Sequence, residues 1–156
     1  MDDLLRYSPA NCSIARTLAV IGEKWTLLVL REAFTGVHRF EDFQHRLGCA
    51  RNVLSARLST LVEHGILERA PYREQDQRPR SEYRLTNKGR ELYGVLAALR
   101  DWGDRWLADE AGPSVAVDHA GCGAPVRAVL QCDAGHGPLT VSDVRARPGP
   151  GARLAA

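Results

Sequence analysis

Residues 39–89 constrain the fold more than any other part of this 156-residue chain. They read RFEDFQHRLG, then CARNVLSARLSTLVEHG, then ILERAPYREQDQRPRSEYRLTNKG. Residues 40–47 predict a short helix with Phe40, Phe43 and Leu47 inward. Leu54, Leu58, Leu61 and Val62 recur at helical spacing and predict a second helix with one buried stripe. Gly65 ends that helix as a C-terminal cap. Residues 66–72 read as a strand, and Pro71 near its end suits an edge position. Residues 73–80 read as a polar loop, 82–85 as the return strand, and Thr86 or Asn87 as the cap of a further helix. The order helix, helix, strand, loop, strand, helix predicts a mainly α fold with a small β-hairpin wing, an α+β winged helix-turn-helix. Flanking helices, argued below to make a dimer, and a small C-terminal β-rich tail complete the expectation.

The second helix carries the functional argument. Arg51, Asn52, Ser55, Ala56, Arg57 and Ser59 lie off its apolar stripe, toward its N-terminal half. Arg can read guanine and Asn can read adenine in a major groove, while Ser and Ala permit close approach. A merely solvated polar face is the alternative, and the flanking elements weigh against it. Arg39, just before the short helix, is placed to meet a phosphate with that helix's N-terminus. Arg78 and Arg80 sit in the wing, near Arg73 and Arg84. Between Phe43 and Arg90 there are ten Lys and Arg against five Asp and Glu, an excess of five in a chain whose formal charge is +2. Positive charge concentrated in this way supplies the salt-sensitive part of DNA affinity. An ordinary soluble hairpin decorated with arginines is the alternative there.

The segments CSIARTLAVIGEKWTLLVLRE, RFEDF, VLSARLSTLVEHGILER and EYRLTNKGREL, taken together, resemble the HxlR family of bacterial transcription regulators, relatives of the MarR-type winged helix proteins. The resemblance runs from about Cys12 to about Trp106. It implies a homodimer on a pseudo-palindromic operator, with helices at the two chain ends making the dimer. Most such proteins repress by covering a promoter. It also implies that Cys12 can sense oxidants or electrophiles, as an early cysteine does in some members. Cys12 precedes the first helix, where the positive end of the helix favours a thiolate. A small apolar residue in a dimer core is the other reading of Cys12. Cys49, in the turn before the second helix of the pair, reads as a packing residue.

Apolar content of 44% and charged content of 26% are those of a globular protein. The longest apolar runs are broken by Glu23, Lys24 and Arg31, and residues 1–13 lack the pattern of a secretory signal. A cytoplasmic protein with reduced thiols and no membrane partner is therefore expected. A first helix is expected from about residue 11 or 13 to 22, and another from 24 to 35. A long amphipathic helix is expected from 87 to about 107, with Leu92, Val95, Leu96, Leu99, Trp102 and Trp106 in one stripe. A partner helix in a second subunit is the natural cover for such a stripe.

The expected organisation is a DNA-binding and dimerisation domain over residues 1–110, a small β-hairpin appendage over 111–146 and a disordered tail over 147–156. Two strands are expected in the appendage, at 126–131 and 139–144. His119, Cys122, Cys132 and His136 form H-x2-C-x9-C-x3-H, a set that suits tetrahedral zinc. It resembles a degraded zinc-ribbon tail, in which Gly135 occupies a ligand position and His136 comes one residue late. A hairpin carrying unrelated Cys and His is the alternative, and no cofactor is otherwise expected.

An enzyme is not expected: the chain has no phosphate-binding glycine loop, nucleophile elbow or helical HExxH pair. The stronger competitor is the same fold answering to a small aromatic ligand in a dimer-interface pocket lined by Trp25, Tyr93, Trp102 and Trp106, without cysteine chemistry. A protein-interaction module that keeps the winged fold without binding DNA is the third class, and the arginine-bearing wing argues against it.

Overall fold

The computed structural model describes residues 6–72 and 80–155. The chain divides into two compact units, Cys12–Tyr93 and a second formed by Met1–Asn11 with Gly94–Ala156.

The Cys12–Tyr93 unit holds α1 (Ser13–Ile21), α2 (Lys24–Phe34), α3 (Phe40–Leu47), α4 (Arg51–Glu63), β1 (Leu67–Tyr72), β2 (Arg80–Leu85) and α5 (Asn87–Glu91). α2 is the central element and packs on α3, α4 and β2, while α1 meets α4 and α5 meets β2. The apolar spacing of α2, α3 and α4 turns Val29, Leu30, Phe43, Leu54, Leu58 and Leu61 into one core, each fully buried. β1 and β2 pair antiparallel from Leu67 opposite Leu85 to Tyr72 opposite Arg80. The hairpin is anchored at its base: Phe43 meets the Tyr83 ring edge-on at 6.5 Å, and the Tyr83 amide donates to the His38 carbonyl at 2.8 Å.

Caps set the ends of these elements. Gly65 has φ +65°, so the chain can leave α4 in a left-handed turn that a side chain would disfavour. Thr86 caps α5: its hydroxyl accepts from the Gly89 amide at 3.0 Å and donates to the Gly65 carbonyl at 2.7 Å. Gly89 lies so close to the Ile66 carbonyl that a Cβ there would collide with it.

The long helix expected from residue 87 is broken. α5 stops at Glu91, and α6 (Tyr93–Trp106) starts again after Leu92. The Leu92 amide bonds to the Gly89 carbonyl three residues back, so the turn tightens where a continuous α-helix would bond four back.

In the second unit α6 is the one long helix among the described residues. The strands expected at 126–131 and 139–144 are replaced by single bridges, Asp118 with Pro125 and Leu130 with Leu139. Prolines at 125 and 138 withhold ladder donors. Thr140 and Asp143 form a capping box that winds Val141–Asp143 into a 3-10 turn. Residues 153–155, within the segment expected to lack fixed structure, pair with residues 6–8: Tyr7 bridges Leu154, and the Ser8 and Ala155 amides donate to Arg153 and Arg6 carbonyls. Among the described residues no helix is long and apolar enough to cross a membrane.

Candidate nucleic-acid interface

α3 and α4 form a helix-turn-helix pair joined by Gly48, Cys49 and Ala50. Gly48 closes α3 with φ +63°, and the Cys49 side chain is buried in the turn. Leu54, Leu58 and Leu61 fasten α4 to the core, which leaves Arg51, Asn52, Ser55 and Ala56 exposed on the other side. Arg57 and Ser59, expected on the same face, are half-buried. At the N-terminus of α4 Ala50 offers no capping side chain, and no acidic residue lies in the first turn; α1 and α2 likewise lack a side-chain cap bond and a first-turn acid. Arg51 stands there instead, a cation at the positive end of the helix dipole. The exposed amides of such an end bond water in the free protein and can exchange it for the oxygens of an anion.

Two aromatic rings hold arginines at this surface. The Arg51 guanidinium lies 4.6 Å over the Phe40 ring, and its Nη1 donates to Gln44 Oε1 at 3.2 Å. Arg39, the N-cap residue of α3, lies 4.6 Å over the Tyr72 ring at the end of β1. Sequence reasoning named both arginines and missed the rings and Gln44. The signal available was Phe40 and Gln44 one helical turn apart. Arg78 lies outside the described residues, and Arg80 is placed only as the first residue of β2. Arg84 of the wing is paired to the buried Glu82 carboxylate.

The pair is braced from beneath by a carboxylate that the spacing did not single out. Glu32 of α2 is 2% exposed and is held by Arg46 of α3 and by its neighbour Arg31, whose Nε donates at 2.8 Å. Burial alone would raise its pKa, but the hydrogen bonds from Arg46 and Arg31 and their charge outweigh it and leave the carboxyl below its ordinary value of 4.5.

The remaining expected sites come out differently. Cys12 is the N-cap residue of α1, half-buried, with no side-chain cap bond, and all four cysteines are free thiols. The zinc set does not assemble. His119 Nδ1 sits 3.2 Å from Cys122 Sγ, and Cys132 Sγ sits 3.4 Å from His136 Nδ1, each pair inside its own tight turn. Among the described residues no three His, Cys, Asp or Glu side chains converge on a metal position. Of the four rings expected to line a ligand pocket, Tyr93 packs edge-on against Phe34 at 5.1 Å. Lys24 lies over Trp25 at 5.2 Å. Trp102 and Trp106 border a groove of about 750 Å³ with Pro113 and residues 115–118, and neither Trp25 nor Tyr93 lines it. A separate groove of about 810 Å³ in the Cys12–Tyr93 unit is lined by Arg16, Thr17, Val20, Ile66, Lys88 and Leu92.

A buried helix pair, an outward polar face and a two-stranded wing together define a DNA-binding winged helix-turn-helix regulator. The chain belongs to the HxlR-like helix-turn-helix family, whose model matches residues 20–111. An uncharacterised HTH-type transcriptional regulator of Mycobacterium tuberculosis (strain ATCC 25618 / H37Rv), Rv3095, is 42% identical over 139 residues, covering 89% of this chain and 87% of that one. The crystal structure of PA1607, a proposed transcription factor, is 39% identical with a TM-score of 0.79, over 90% of this chain and 96% of that one. The redox regulator HypR in its reduced form is 30% identical with a TM-score of 0.53, over 59% of this chain and 90% of HypR. The family and these relatives are transcription regulators, which sets an enzymatic role aside.

Proposed function

We propose that this regulator is a cytoplasmic homodimeric repressor that grips a pseudo-palindromic operator and lets go when Cys12 is oxidised or alkylated. Residues 1–110 bind DNA and dimerise in this reading, and 111–146 are an appendage. The observation that carries it is the outward face of α4, where Arg51, Asn52, Ser55 and Ala56 are exposed above a fully buried leucine stripe. The N-terminal half of α4 reads bases, while Arg39 and the wing arginines, Arg78 and Arg80 among them, meet phosphate. Arg57 and Ser59, half-buried, touch the edges of the same contact.

Exposed apolar side chains support dimerisation. Ile14 and Leu18 on α1 are 71% and 55% exposed, and Leu99, Trp102 and Trp106 on α6 are 50%, 58% and 66% exposed. A second copy is the natural cover for such helices. The likeness to HypR, a redox regulator, supports a thiol signal. A second reading keeps the fold and replaces the thiol with a small aromatic effector. The grooves beside Arg16 and beside Trp102 favour it, each within the size range of ligand sites.

A mobility shift on DNA upstream of the gene, with diamide and then reductant, separates the readings. Reversible loss of binding that the Cys12→Ser protein no longer shows supports the thiol switch. Cys12→Ser protein that still releases DNA under diamide ends it. Replacing Arg51 and Asn52 with Ala should cost roughly 1–3 kcal/mol of binding per lost base contact.

A further inference from the structure

We infer that Phe40 and Gln44 are positioning residues that aim Arg51 at one guanine in each operator half-site, an inference that rests on the DNA reading above. Phe40 and Gln44 are one turn apart on α3 and share a face. They make a ledge under the first residue of α4. The ring takes one face of the Arg51 guanidinium at 4.6 Å, and the Gln44 carbonyl oxygen takes Nη1 at 3.2 Å. Nε and Nη2 have no protein partner among the described residues, and the side chain is exposed.

That leaves one edge of the fork intact, two parallel N–H donors side by side. In the major groove only guanine offers two adjacent acceptors, O6 and N7. Adenine presents an N7 acceptor beside an N6 donor, thymine one acceptor and cytosine a donor. The edge that Gln44 leaves open therefore fits guanine and sets a donor against a donor on adenine. An arginine already held on one face and at one end also loses less freedom on binding. No carboxylate in the first turn of α4 competes for it.

The test selects an operator from random DNA and then replaces its guanines one at a time by 7-deazaguanine, which removes the N7 acceptor. One replacement per half-site should weaken the wild-type protein, and changing the same guanine to adenine should weaken it about 5- to 150-fold. Arg51→Ala should lose both sensitivities. Gln44→Ala, and independently Phe40→Leu, should keep non-specific DNA binding and thermal stability while the guanine-over-adenine preference at that position falls several-fold. A merely structural role would weaken all sequences alike. A Gln44→Ala protein with the wild-type preference overturns the proposal, as does an operator in which no guanine depends on Arg51. Failure of the wild-type protein to select any DNA would sink the DNA reading itself.

Discussion

The two units of this chain are ordered by different forces. In Cys12–Tyr93, six large side chains from three helices are fully buried in one core. In the other unit Ala97 is the only buried apolar side chain among the described residues, while Val129, Leu130 and Val141 are 65%, 61% and 88% exposed. What holds that unit are directional polar bonds: the antiparallel pairing of residues 6–8 with 153–155, and the grip of Arg100 and Asp101 on residues 126–128. Hydrophobic burial scales with area and tolerates adjustment, whereas each hydrogen bond contributes only about 0.5–1.5 kcal/mol and fails individually. The first unit should therefore melt as a whole and the second bond by bond.

The largest test of that contrast is Leu58→Ala. Leu58 is fully buried on α4, so truncation should lower the unfolding free energy of the Cys12–Tyr93 unit by about 2–5 kcal/mol. Val141→Ala, at an 88% exposed position, should stay within about 0.5 kcal/mol. Urea titration of both variants decides it, and comparable losses would break the comparison.

This asymmetry also explains what the sequence made legible. α3 was read to its ends, and α4 and the wing to within a residue or two, because a buried stripe forces a period on the residues that make it. Leu54, Leu58 and Leu61 could not be spaced otherwise and reach one core. The tail was misread because strands there would have little core to answer to. Pro138 and the Thr140–Asp143 box decide its path through local bonds that hydropathy does not register. The break at Leu92 was hidden for a related reason: the apolar stripe runs on across it, while the hydrogen bond that tightens the turn leaves no mark on the pattern. At the interface, residue types gave Arg51 and Asn52. The Phe40 ring and Gln44 beneath Arg51 needed the angle between α3 and α4, which no spacing within one helix contains.

Next in size is Glu32→Gln, which asks whether the first unit is held by burial alone. The amide keeps the shape but gives up the charge that Arg46 and Arg31 address, at a cost of about 1–3 kcal/mol. Because the folded carboxyl titrates below its ordinary 4.5, its stabilising contribution is complete well above that pH and is lost as pH falls below 4.5 through the lower folded value. The variant should be less stable at neutral pH and lose less than the wild type between pH 5 and about 3. Parallel pH dependence in the two proteins would mean that the ion pair contributes nothing.

Smaller again is Thr86→Ala. It removes the acceptor for the Gly89 amide and the donor to Gly65, and should cost about 1 kcal/mol in thermal or urea unfolding. A cap worth much more than that would mean the hydrophobic core is not the main support of α5.

The least change in global stability, and the sharpest local one, belongs to Asp101→Asn. Asp101 accepts from Arg100 Nη2 at 2.8 Å and from the Ala128 amide at 2.6 Å, and these bonds hold its carboxyl below the ordinary 3.8. An asparagine has one carbonyl oxygen for two donors, so its amide group must face either the guanidinium or the Ala128 N–H, donor against donor. Apart from Ala97, no apolar side chain among the described residues of this unit is buried to absorb the loss. The Ala128 amide should exchange with solvent faster in the variant, while amides of α2 and α4 keep their protection. In the wild type the same bond should persist through pH 3.8 and weaken only below it, because the folded carboxyl takes up its proton at a lower pH than a free one. If protection in α4 fell together with that of Ala128, the tail would be part of the same cooperative core, and the division between burial and bonding would be wrong.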